Sequence, residues 1–585
     1  MNYSVLLALS LAFFGADSNY SGKDRERVFK KLFTTKNGSQ SLANAQQIKF
    51  PLNDECGVCD NLAIAILESR RKHVPVFFLD QFILGICVDL KIQDKHVCDG
   101  VLDPLLDVLF HIIDNNKNIT AQKICSLLLS PTCHNQFDYF NWTIDIPEKP
   151  KEIPQKIKGE GTQPLRILQI TDIHYDPRYT PGGKAICNEP LCCQDDQGYP
   201  SDPDQTCGVW GDYRAADTPR RTLDEALRHM KTQNVDYVYF TGDIISHRIW
   251  STSIANNSKT EREIMELIKN NFDVPVFFVL GNHEPHPINL YAPLEITEEK
   301  FSTEWLFNQL SDELRGLVPD EELSNINAGG FYTLLLKPGF RIIVLNNNIC
   351  LTEDLWLLFD DYDLYGQLTW LTKVLEKAEE NGEHVHILQH VPTGDALCLG
   401  TWGREFNRIV NRFSDTITGH FNGHTHFDEF LVYFNESEPT EAINVAFNGA
   451  SLVTFTDNNP SYKIYDIDAN TFEVLNFEEW TFNLTSANLQ PDKSTVDWYK
   501  LYSFKEAYGL PSLKPEEIGN LVIEMAKNRT VLEMYNRYRY RMGDGINTVC
   551  DDNCHKSNLC TIVTSSLADT QHCEDIKKIY DEYNH

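Results

Sequence analysis

Past its first sixteen residues the sequence lacks any apolar run approaching the ~20 residues that cross a bilayer, so no transmembrane span is expected. It is short of positive charge. Fifty-two basic residues face 84 acidic ones, for a formal net charge of −32, and a nucleic acid partner, which needs a basic face, is excluded. Compositional bias is missing too: hydrophobic residues make up 42% and charged residues 23% of the 585 positions, which excludes long disorder or a fibrous repeat. What is plentiful is cysteine, and sixteen of them point to an oxidising compartment.

The N-terminus agrees. Val5 to Phe14 is a short apolar run ending in Phe14-Gly15-Ala16, which reads as a signal peptide over residues 1–16, although a basic n-region is missing. N-glycosylation acceptors stand at Asn37, Asn118, Asn141, Asn256, Asn435, Asn483 and Asn528. The expectation is a soluble, monomeric chain that is secreted and/or lysosomal. Protonation of all 18 histidines moves the formal charge from −32 to −14 and weakens repulsion from anionic membranes, which suits an acidic setting.

Composition divides the chain. Six cysteines lie in residues 52–137; residues 138–164 are rich in proline and charge and read as a semi-rigid linker; residues 165–480 alternate β-branched runs with helical patterns; residues 481–585 read as helical, with four more cysteines. The first zone is spaced C-x2-C-x27-C-x10-C-x26-C-x7-C, with helical periodicity over Asn61 to Lys72 and Val101 to Asp114. Spacing alone leaves fifteen connectivities open. This zone resembles the saposin-type module. The resemblance implies a small all-α leaf closed by Cys56–Cys133, Cys59–Cys125 and Cys87–Cys98, which engages a membrane or lipid-aggregate surface or serves as a rigid docking domain.

The middle zone carries five polar clusters, each just past an apolar run: Asp172-Ile-His174, Gly242-Asp243, Gly281-Asn282-His283-Glu284, His390, and His424-Thr-His426. In open α/β folds ligands gather at the carboxyl ends of strands, so these loops can converge. Asp, Asn and His suit a borderline divalent metal, and cysteine is absent from all five, so a structural thiolate site is not indicated. Two such ions ~3.5–4 Å apart activate water and clamp a phosphoryl oxygen, which is machinery for phosphoester hydrolysis.

The set in this order resembles the calcineurin-like metallophosphoesterase family. That resemblance implies two packed β-sheets flanked by helices (α/β/β/α), with Asp172, His174 and His426 on one ion, Asn282, His390 and His424 on the other, and Asp243 bridging. Some relatives place an iron-binding Tyr three residues after the bridging Asp; here that position is Ser246. The run Thr-Gly-Asp243-Ile-Ile-Ser-His247, with Gly-Asn-His-Glu and Gly-His-Thr-His-Phe-Asp-Glu-Phe, is similar instead to the acid sphingomyelinase group. The fused saposin-like module adds to that likeness, which extends through the C-terminal region.

This narrower resemblance implies two Zn2+ ions and a sphingomyelin substrate cleaved to ceramide and phosphocholine. It gives His247 and His283 acid or transition-state roles; a histidine with the ordinary pKa near 6.5 is mostly protonated around pH 5. The remaining cysteines fit as Cys187–Cys192, Cys193–Cys207, Cys350–Cys398, Cys550–Cys554 and Cys560–Cys573, although adjacent Cys192 and Cys193 can exchange roles. Rival readings are cleavage of nucleotides or other phospholipids, and an inert lipid-binding or transfer protein. His384, His386 and His420 read as structural, His286 as a pocket-lining candidate, and Glu284 as a partner for a neighbouring histidine.

Overall fold

The computed structural model describes residues 55–584 except Leu90, 130–132, Ile153, Thr456 and 545–549. The expected signal segment and Asn37 lie outside the described residues. Of the other sequons, Asn118, Asn141, Asn256 and Asn528 are exposed and Asn435 and Asn483 half-buried.

The N-terminal leaf is four helices: α1 (Glu55–Arg71), α2 (Val76–Asp89), α3 (Lys95–Asn115) and α4 (Ala121–Leu128). Disulfides Cys56–Cys133 and Cys59–Cys125 staple the α1 and α4 ends, and Cys87–Cys98 joins α2 to α3. So small a leaf has little core of its own, and covalent staples hold it. It docks through α3. Val97 and Val101 pack with Ile249, Trp250 and Ile288 of the following domain. Helix and turn backbones touch at Gly100, where a Cβ would lie 2.1 Å from the Trp250 carbonyl oxygen. The Lys123–Asp361 ion pair at 2.8 Å adds to the contact.

The proline-rich segment is strapped down rather than free. Phe140, Trp142 and Ile144 are buried against the helix Gly400–Arg412 and its neighbours, and Lys156 donates to the Glu383 carbonyl at 2.8 Å.

Two six-stranded sheets form the core. The first runs β12-β11-β10-β1-β2-β3, built from β1 (Leu165–Ile170), β2 (Tyr237–Phe240), β3 (Val276–Phe278), β10 (Ser461–Ile467), β11 (Val474–Thr481) and β12 (Tyr499–Ser503). The second runs β4-β5-β6-β7-β9-β8, built from β4 (Tyr332–Lys337), β5 (Phe340–Val344), β6 (His384–Leu388), β7 (Ile417–Asn422), β8 (Glu429–Phe434) and β9 (Ala442–Asn448). β1, β2 and β3 are parallel, as are β5, β6, β7 and β9. Their near-continuous apolar runs suit strands covered on both faces. β12 pairs antiparallel with β11 and extends the first sheet into residues 481–585, which read as helical.

The sheets face each other across aromatic contacts such as Tyr239–Phe421 and Phe421–Tyr465. A polar link also crosses: Gln169 Nε2, which donates to Thr241 Oγ1 of its own sheet at 3.0 Å, donates to the Asn422 carbonyl of the other at 2.8 Å. Helices Arg220–Met230 and Ile254–Asn271 pack with the first sheet, and Gln367–Glu380 and Gly400–Arg412 with the second. C-terminal helices Pro515–Lys527 and Asp552–Val563 pack on β8 and β9. The remaining cysteines pair as Cys187–Cys192, Cys193–Cys207, Cys350–Cys398, Cys550–Cys554 and Cys560–Cys573.

Candidate metal centre

Five loops bring the predicted ligands together at the carboxyl ends of parallel strands of both sheets. Asp172 and His174 follow β1, Asp243 follows β2, Asn282 follows β3, His390 follows β6, and His424 and His426 follow β7. Five of these residues hold left-handed backbone: φ is 48° at Asp172, 40° at His174, 61° at Asp243, 76° at His424 and 62° at His426. Such conformations are costly away from glycine and gather at functional sites. Gly281 leaves the chain no alternative: a Cβ there would lie 2.1 Å from Asp243 Oδ1.

Two groups share one residue. Donor atoms of Asp172, His174, Asp243 and His426 lie within 4.8 Å of one another, as do those of Asp243, His390 and His424. Asp243 Oδ2 is 3.4 Å from His174 Nε2 and 3.3 Å from His390 Nε2, which places it between the groups. Asn282 joins the second, its Oδ1 3.0 Å from His390 Nε2 and 2.9 Å from His424 Nδ1.

Hydrogen bonding fixes which nitrogens are bare. Nδ1–H of His174 donates to the Ile245 carbonyl at 2.8 Å, that of His390 to Thr241 at 2.6 Å, and that of His426 to Phe455 at 3.1 Å. Burial, with neighbouring imidazoles, pushes His174 and His426 well below the ordinary histidine pKa, so their Nε2 atoms carry no proton. Yet those two atoms stand 2.9 Å apart. His390 Nε2 likewise faces an amide oxygen, because Asn282 turns its Nδ2 away to donate to Asn289 Oδ1 at 2.9 Å. Lone pairs aimed at lone pairs in a dry interior repel one another unless a cation stands between them. Burial also raises Asp172 to about 7 and Asp243 to about 6, so both carboxylates lack compensating positive charge. This donor set fits a binuclear metal site.

Supporting residues hold the loops. Glu284 accepts the backbone N–H of Asp243 at 3.1 Å, of Ile244 and of Gly281. It therefore clamps the backbone around the bridge, which corrects the expectation that it orients a histidine. Asn347 Oδ1 accepts the backbone N–H of His390 and of Val391, each at 3.0 Å, three residues before the Cys350–Cys398 bridge. Such outer partners usually fix ligand orientation.

His247 and His283 flank the first group, with ring centroids 4.0 and 4.6 Å from that of His174. Asp217, fully buried, accepts both the His247 backbone N–H at 2.6 Å and its Nδ1–H at 2.7 Å, and leaves Nε2 as the reactive nitrogen. Phe455 stacks on the other side at 4.6 Å. His283 differs. Burial and then the imidazoles of His247, His426, His390 and His424 push it well below the ordinary pKa, so the expectation that it is mostly protonated around pH 5 fails for this ring.

The other histidines are structural. His386 bridges Tyr239 Oη and the Phe472 carbonyl, His420 stacks on Tyr433, and His384 is buried beside Phe472. His286 bonds Thr252 Oγ1 at 2.9 Å. Sequence reasoning missed Asp217 and Asn347. Asp217 sits in Ala-Ala-Asp217-Thr-Pro ahead of a helix, a context that signals only a turn.

Comparison with known proteins accords with this geometry. The calcineurin-like phosphoesterase family matches residues 165–428, and the acid sphingomyelin phosphodiesterase C-terminal region matches residues 442–580. A sphingomyelin phosphodiesterase of Bos taurus is 35% identical over 87% of this chain and 81% of its own length. The chain belongs to the sphingomyelin phosphodiesterase family. The Homo sapiens sphingomyelin phosphodiesterase is 33% identical over the same shares of the two chains. An acid sphingomyelinase-like phosphodiesterase 3b of Mus musculus is 27% identical over 69% of this chain and 88% of its own. The family's phosphoesterase match covers all seven candidate ligands, both flanking histidines and Asp217.

Proposed function

We propose that the chain hydrolyses sphingomyelin to ceramide and phosphocholine at acid pH, with two zinc ions held by Asp172, His174, His426, Asn282, His390, His424 and shared Asp243. The observation that carries this reading is the set of unprotonated imidazole nitrogens facing one another and facing carbonyl and carboxylate oxygens around Asp243. Imidazole, carboxylate and amide oxygen donors suit zinc, and no thiolate competes. When bound, the ions supply activated water and neutralise charge on a phosphoryl oxygen.

The chain's own residues do the rest. The ceramide alkoxide leaves poorly and needs a proton. His247 is the better donor: Asp217 fixes its tautomer and Phe455 fixes its plane, so Nε2 is held for the leaving oxygen. His283, kept neutral by burial and by its neighbours, hydrogen-bonds the phosphoryl group instead. The left-handed ligand loops are pre-set, so little reorganisation is left for the reaction itself.

The saposin-like module engages the lipid surface. Phe77 and Phe78 on α2 are 65% and 61% exposed, and α3 of the same leaf packs on Trp250, three residues from His247. The protein acts as a monomer, glycosylated at the sequons, in the secreted and/or lysosomal space. The test is phosphocholine release from sphingomyelin vesicles at pH 5, with and without chelator. Chelator-sensitive release supports the reading. A nucleotide or another phospholipid cleaved far faster overturns the substrate, and no hydrolysis of any phosphodiester overturns the enzyme.

A further inference from the structure

Arg541 lies in the C-terminal region, past the helix Arg529–Arg539, and is fully buried. Its φ is 49° and that of Met542 is 55°, so two consecutive non-glycine residues turn left-handed. The turn carries the guanidinium to the metal cluster. Nη1 donates to the carbonyl of His426, Nη2 to Ser451 Oγ at 3.0 Å, and Nε to the Asn459 carbonyl at 3.0 Å. Asn459 Nδ2 donates back to the Arg541 carbonyl at 3.1 Å.

These contacts fix one ligand twice. The first holds the backbone of His426, whose φ of 62° is itself left-handed. The other two grip residues 451 and 459, on either side of Phe455, whose carbonyl accepts Nδ1–H of His426 and so bares Nε2. One planar fork therefore ties the ligand's backbone to the loop that sets its tautomer, a geometry a lysine cannot reproduce.

The charge of Arg541 is balanced by buried Glu479 and Asp428 nearby, yet the guanidinium hydrogen-bonds neither: Asp428 is taken by Lys463 at 2.5 Å and by Tyr502, and Arg541 spends its donors on two carbonyls and a hydroxyl.

We propose that Arg541 is a positioning residue for the ligand His426, so that the C-terminal region completes the metal centre. This rests on the metal reading above. The test is zinc titration against a competing chelator on the full-length protein, its folded fraction followed by near-ultraviolet circular dichroism. Arg541→Gln weakens zinc binding roughly 10–100-fold at one of two sites, Arg541→Lys restores part of it, and added zinc recovers kcat with KM unchanged. Arg539→Gln, which breaks the 2.6 Å pair with Glu429 and the stacking on Phe427 but leaves the Arg541 contacts in place, binds zinc like the parent. A folded Arg541→Gln with parental affinity at both sites, and only a lower melting temperature, overturns the inference. If that variant does not fold, Arg541→Lys alone decides: several-fold weaker binding than the parent supports the inference and parental binding overturns it. A parent that takes up no divalent metal overturns the metal reading and the inference together. Two ions bound identically by parent and folded variant overturn the inference alone.

Discussion

Around Asp243 seven polar side chains converge at the meeting of two sheets, four of them with no more than 1% of their surface in water. On α2 the reverse holds: Phe77 and Phe78 stand in solvent while a carboxyl of the same leaf, Asp80, is half-buried and raised to about 6 by burial and by Asp103 and Asp107. Each region inverts ordinary burial, and the means of holding it differ. The metal cluster is locked by hydrogen bonds that Glu284, Asn347 and Asp217 accept inside a large core. The leaf is locked by three disulfides and by docking through Val97 and Val101. Buried polar atoms need partners that a cation completes, whereas exposed aromatics leave apolar surface in water.

The comparison separates chemistry from lipid contact, and substitutions sharpen it. Asp243→Ala removes the shared ligand, and activity on both sphingomyelin vesicles and a soluble bis(nitrophenyl) phosphate falls by roughly 10³-fold or more. Unequal losses on the two substrates would break the separation. His247→Ala lowers kcat about 10²–10⁴-fold. Asp217→Asn lowers it by roughly 10–10², because the tautomer is no longer fixed. If Asp217→Asn matches the parent across the whole pH profile, Asp217 has no part in catalysis.

Replacing both Phe77 and Phe78 by serine lowers the rate on vesicles about tenfold and leaves the soluble ester untouched. The smallest expected effect is on stability. Burial raises Asp176 to about 7, with Asp217 adding to it, and raises Glu261 well above its ordinary value. These two carboxyls hold protons in the native state that the unfolded chain releases above about pH 4.5, so their own contribution to stability is fully present below that pH and lost as pH rises through the folded values, while the buried histidines held below their ordinary pKa act in the opposite sense. The melting temperature of metal-free Asp176→Asn relative to the metal-free parent therefore rises by roughly 3 °C from pH 5 to pH 8. A difference that does not change over that range would contradict the assignment of Asp176 as neutral.

Much of the centre was legible because each ligand directly follows an apolar run, and parallel strands deliver their carboxyl ends to one edge. The linker after the leaf looked like a spacer, because nothing in Pro-Glu-Lys-Pro shows that Phe140 and Trp142 bury against a helix some 260 residues later. β12 was hidden because Tyr499–Ser503 sits among helical patterns and is a strand only through its pairing with β11. Asp217 lies 30 residues from His247, and only the fold joins them. The behaviour of His283 was invisible for the same reason: its neighbours come from three other loops. Cysteine spacing alone left the pairing open, and the likeness to a known module supplied it.

The central claim is that these side chains grip a pair of cations. Anomalous diffraction at the zinc edge from crystals of the natively purified protein, with metal content by mass spectrometry, tests it most directly. The account predicts two ions, one among Asp172, His174 and His426, one among Asn282, His390 and His424, with Asp243 reaching both. A metal-free centre in active protein, or ions bound away from these seven residues, would contradict it.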